Sequence, residues 1–162
     1  MPSSRRRSFL ASLGTVTVAS IAGCSRNGTD EPPAGSLQFE NESDLPHAVS
    51  MRVMGVGTEP GDGPSEVEGD APVPQPQRQL TASTVVQPGE KRTYETIFTE
   101  DVWYGVEFRL DGDVPGNNAG LVRFNPAPSD DERGSVLGGV VFKSGEFSWM
   151  VSSTDNPGPF DR

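Results

Sequence analysis

Residues 102–110, VWYGVEFRL, decide the fold. Val102, Tyr104, Val106, Phe108 and Leu110 alternate with Trp103, Gly105, Glu107 and Arg109. A period of two puts one set of side chains on each side of an extended chain, so the stretch predicts a strand with one buried face. A helix would split the same five apolar residues between two opposite sides. Outward from this strand the alternation recurs in shorter form. Leu37 and Phe39 alternate with Gln38 and Glu40, and Val49, Met51 and Val53 with Ser50 and Arg52. Further strands are predicted over Leu80–Val86, Arg92–Phe98, Leu121–Phe124, Val136–Phe142 and Glu146–Val151. Turn signals separate them: Pro88-Gly89, Asp111-Gly112, Asn117-Asn118 and Ser144-Gly145. About eight short strands without a helical pattern predict an all-β, antiparallel two-sheet β-sandwich over residues 36–153. Trp149 alternates with Phe147 and Val151, which places it in the core. Trp103, opposite Tyr104, is either packed by a second layer or a surface binding spot.

Three segments fall outside the rhythm. Residues 56–79 are acidic, rich in Gly and Pro, and end in PVPQPQ, so they predict a long exposed loop. Residues 24–35 carry Pro32-Pro33 among polar residues and read as a flexible tether. Residues 154–162 read as a disordered tail.

Composition narrows the function. Hydrophobic residues are 33% of 162, and 19 Gly with 15 Pro favour turns over long helices. The formal net charge is −10, and setting aside Arg5, Arg6 and Arg7 leaves 10 basic against 23 acidic residues. Such a surface repels nucleic acid, which is therefore not an expected partner. The basic residues are eleven Arg and only two Lys, Lys91 and Lys143. Acid-rich, lysine-poor surfaces resemble those of haloarchaeal proteins, which implies a halophilic protein that stays soluble where salt screens repulsion.

The N-terminus supplies an address. Arg5-Arg6-Arg7 precedes an uncharged run from Phe9 to Gly23 that ends at Cys24, the only cysteine. As a helix the run covers roughly 22 Å, short of a bilayer core of about 30 Å, so it reads as a cleaved signal segment over residues 1–23. Ser4 to Leu10, with Arg6-Arg7 as the pair, resembles the twin-arginine export motif, although Ala11 stands where that family often has lysine. Ile21-Ala22-Gly23-Cys24 resembles the lipobox of lipoproteins. That resemblance implies a lipid on the Cys24 thiol and a chain held on the extracytoplasmic face of the cell membrane. A catalytic thiol would want a basic or histidine-rich setting, which Cys24 lacks.

Catalytic and metal constellations are thin. Phe39-x-Asn41 followed by Pro46-His47 resembles the opening of cupredoxin-like sandwiches. A type-1 copper site needs two His and a Cys, whereas His47 is the only histidine and Cys24 is assigned to lipid, so the resemblance reaches the fold and not the metal. A thioether site from His47, Met51 and Met150 is the weaker metal alternative. Asp111-Gly112-Asp113-Val114-Pro115-Gly116-Asn117 is a partial calcium loop, but the twelfth position is Val122 where the pattern requires Glu, and a hairpin turn explains Asp-Gly without metal. No G-x-S-x-G elbow accompanies the serines. Asp101-x-x-Tyr104 resembles the tyrosine corner of immunoglobulin-like sandwiches, which implies that the hydroxyl ties the strand to the preceding loop. The expectation is a membrane-anchored extracytoplasmic lipoprotein that acts as a non-catalytic binding module. It needs no cofactor and meets a protein partner at the cell surface. The alternative is a cupredoxin-like metal-handling or redox lipoprotein that uses His47 and Met residues.

Overall fold

The computed structural model describes residues 31–127 and 133–161, so Arg6, Arg7 and Cys24 lie outside the described residues. Ten strands follow one another: β1 (Leu37–Asn41), β2 (His47–Gly57), β3 (Glu59–Pro60), β4 (Val67–Glu68), β5 (Thr81–Val86), β6 (Lys91–Tyr94), β7 (Trp103–Leu110), β8 (Leu121–Phe124), β9 (Gly134–Val141) and β10 (Phe147–Thr154). One short helix, α1 (Gln75–Arg78), and a 3₁₀ turn at Gly158–Phe160 complete the described elements. One sheet has the order β10-β9-β1-β6 and the other β5-β2-β7-β8, while β3 and β4 pair by themselves. The protein is an all-β sandwich. Its pairs are antiparallel except β1 with β9, where Leu37 lies beside Leu137 in parallel register. A long connection imposes no hairpin geometry, so this pair is free to run parallel.

The core follows from the alternation in 102–110. Tyr104, Val106 and Phe108 of β7 are fully buried with Leu37 and Phe39 of β1. Phe39 meets Phe108 edge-on at 6.3 Å between centroids, and Phe98 meets Tyr104 at 4.9 Å. β6 stops at Tyr94 rather than running to Phe98 as the sequence predicts. Thr96 takes a positive φ of 52°, which turns the chain, and Phe98 enters the core from the loop with its N–H donated to Gly35 O at 3.0 Å.

Residues 56–79 are not one featureless loop. β2 runs on to Gly57, and the β3–β4 ribbon folds back over the second sheet. The ribbon can lie flat because Gly105 has no Cβ; a methyl there would collide with the Ser65 carbonyl oxygen. The expected disordered tail is likewise folded. Phe160 is 8% exposed and clusters with Ala34 and Ala127. Thr154 Oγ1 donates to Pro32 O and Ala34 N–H to Asn156 O, both at 2.8 Å, so the end of the expected tether and the tail are fastened together.

Candidate functional site

At the start of β7 the Tyr104 hydroxyl donates to Gln77 Oε1 at 2.6 Å and accepts from Glu100 N–H at 3.4 Å. Burial pushes the phenol's pKa up, so it stays a neutral donor. The bond to Glu100 is the tie to the preceding loop that a tyrosine corner implies. Gln77, which the sequence does not pair with Tyr104, is the larger partner. Its side chain also donates to Ile97 O at 3.1 Å and accepts from Thr99 N–H at 3.3 Å, locking α1 to the loop before β7.

Past the other end of β7 stands the histidine. His47 Nδ1 lies 2.7 Å from Asp111 Oδ2, and Asp111 Oδ1 accepts from Ala48 N–H at 2.9 Å. The hydrogen bond from His47 holds the Asp111 carboxyl below its ordinary range, against a small desolvation penalty. Asp111 and Gly112 both have positive φ, 50° and 94°, which is the primed two-residue hairpin turn. Asp113 closes that turn through its backbone, with N–H donated to Leu110 O at 3.0 Å.

The structure thus joins His47 to Asp111 and leaves the other metal candidates apart. Met51 is 2% exposed in the core, beside Phe108 in register. Met150 pairs with Gly138 in the other sheet and is exposed. Among the described residues no three His, Cys, Asp or Glu side chains gather where they could hold a metal ion.

A different constellation emerges along β8, the edge of the second sheet. An open cleft of about 780 Å³ is lined by Trp103, Trp149, Asn117, Asn118, Arg123 and Ser148, with Pro60 and Pro64 of the ribbon at its rim. Trp103 stands on the outer face of β7, opposite the buried Tyr104. Trp149 is 38% exposed and is not core. Its register with Gly139 does put it on the face of Phe147, as the alternation implies, but β10 is an edge strand with no neighbour to cover it. Asn117 and Asn118 both take positive φ, 54° and 60°, in a turn closed by Ala119 N–H to Gly116 O at 3.0 Å. Arg123 hydrogen-bonds the Gly61 carbonyl, which pins the ribbon to the edge of the cleft. A second hollow of about 540 Å³ shares Asn117, Ala119 and Ser148 with the first, so the two form one elongated groove. Sequence reasoning weighed Trp103 as a binding spot but did not join it to Trp149 or to the Asn pair. No local pattern links them, because they come together only where the two sheet edges meet.

This is a β-sandwich with an open, aromatic-walled groove on its side. No protein family, curated protein or solved structure matches the chain.

Proposed function

We propose that the chain is an extracytoplasmic lipoprotein, held on the membrane through Cys24, whose sandwich is a non-catalytic binding module. The observation that carries this reading is the order in the N-terminal sequence: Arg6-Arg7, an uncharged run from Phe9 to Gly23, then Ile21-Ala22-Gly23-Cys24. The folded domain supports it, since its entry at Pro32–Ala34 lies a short span after Cys24. Binding rather than turnover is proposed from the setting of the one histidine. His47 is the only histidine, and its described hydrogen bond goes to Asp111, not to a hydroxyl nucleophile.

Fractionation of cells that express the full chain tests this. The wild-type protein is expected in the membrane fraction and in the detergent phase, and Cys24→Ser in the aqueous phase. Replacing Arg6-Arg7 by Lys-Lys is expected to trap the uncleaved precursor inside the cell. A Cys24→Ser protein that remains in the detergent phase would remove the lipid anchor from the account.

A further inference from the structure

The Trp103–Trp149 cleft of the groove along β8 differs in composition from the acidic chain as a whole. The chain has 23 carboxylates, yet none lines the Trp103–Trp149 cleft, where the one charged side chain is Arg123. An acidic protein that keeps carboxylates out of a cleft is not built there for a cation. Arg123 is committed to the Gly61 carbonyl, which leaves a surface of near-neutral character. The polar groups left over are the side chains of Asn117 and Asn118. Neither makes a hydrogen bond among the described residues, and both sit on a turn whose backbone is fixed. Each amide offers donors and an acceptor side by side. Two indoles and two unpaired amides lining one cleft suit a ligand that is apolar on its faces and hydroxylated at its rim. A pyranose ring has that character: its C–H faces stack on aromatic rings and its equatorial hydroxyls pair with amides. The elongation of the groove into the second hollow, where Asp113 and Glu146 join the lining and can accept from hydroxyls, fits a chain of such rings.

On this basis, and resting on the binding-module reading above, we propose that the groove binds a neutral glycan chain, with Trp103 and Trp149 as stacking platforms and Asn117 and Asn118 as hydroxyl readers. An extended peptide paired to the β10 edge fits less well. The exposed run of β10 is Trp149–Ser153, and of β10 only Ser148 and Trp149 line the cleft.

The chain carries its own reporter, because Trp103 and Trp149 are its two tryptophans and both line the cleft. The experiment titrates the full chain, in molar salt, with soluble cello-, chito-, manno- and malto-oligosaccharides, reading tryptophan emission and calorimetric heat. At least one series is expected to shift the emission to the blue and to saturate. Trp103→Ala and Trp149→Ala are each expected to weaken that binding by about tenfold. Asn117→Gly with Asn118→Gly keeps a backbone that accepts positive φ while removing both amides, and is expected to weaken it several-fold without moving the melting temperature. Silence of every oligosaccharide in both readouts would overturn the glycan proposal, as would binding that the tryptophan variants leave unchanged. Extended apolar and proline-rich peptides run alongside separate the two levels. If a peptide shifts the emission and no sugar does, the glycan is wrong and the binding module stands. If neither does, the binding-module reading of this groove falls with it.

Discussion

Tyr104 illustrates how much one side chain decides. Its ring fills the core against Phe98 while its hydroxyl fastens Gln77 and the loop before β7. Tyr104→Phe keeps the ring and strips the buried Gln77 oxygen of its shortest hydrogen bond, so it is expected to lower unfolding stability by about 1–2 kcal/mol in chemical denaturation. Glu107 is the corresponding case in charge. Burial opposes its ionisation, but hydrogen bonds from Arg52 at 3.0 Å and Arg109 at 2.8 Å outweigh it and hold the carboxyl below its ordinary value of 4.5. Asp111 is held below 3.8 by His47. A carboxyl whose pKa is depressed on folding stabilises the protein at pH values above its unfolded pKa, and that stability is lost as pH falls through the folded value. The melting temperature is therefore expected to drop as pH falls through and below the ordinary carboxylate range. Glu107→Gln should flatten the drop, and a Glu107→Gln curve that superimposes on the wild type would contradict the assignment. The sequence made Tyr104 legible as a corner and His47 as a site candidate. It could not pair either with its partner, because Gln77 and Asp111 reach them across folded distance rather than along the chain.

Elements differ in how plainly they were written. β7 was legible throughout, since a long alternation against a buried face has one solution. The β3–β4 ribbon and α1 were not, because pieces of two to four residues are too short to carry a period. Alternation told which face Trp149 occupies but not that β10 is an edge, for edge position depends on strand order. The tail was missed because one apolar residue among prolines and polar residues makes no pattern, yet Phe160 is buried against Ala34. Phe160→Ala is expected to cost about 2–3 kcal/mol, at or below the low end for buried Phe because the cluster is small, and to speed proteolysis of the N-terminal segment near Pro32. Gly105 is the hinge between fold and groove. Gly105→Ala is expected to lift the Ser65 side of the ribbon off β7 and displace Pro64 from the cleft rim. The readout is a red shift of tryptophan emission while circular dichroism keeps its β signature.

At the scale of the whole molecule, charge dominates. The residues that follow Cys24 carry 10 basic and 23 acidic side chains. Their mutual repulsion destabilises the compact state at low ionic strength and fades as the screening length falls to about 3 Å in molar salt. The melting temperature is therefore expected to rise steadily between low and molar potassium chloride. Binding proposed for the near-neutral Trp103–Trp149 cleft should change little over the same range. The same acidity disfavours contact with anionic lipid headgroups, so the membrane address we propose rests on the N-terminal segment. That claim is central to the account, and it has a direct measurement: intact-mass analysis of the full chain extracted with mild detergent from the membranes of its own cells in high salt. The account predicts a polypeptide beginning at Cys24 and heavier than its sequence by a lipid adduct on that residue. A chain that still begins at Met1 with an unmodified Cys24 thiol would contradict it.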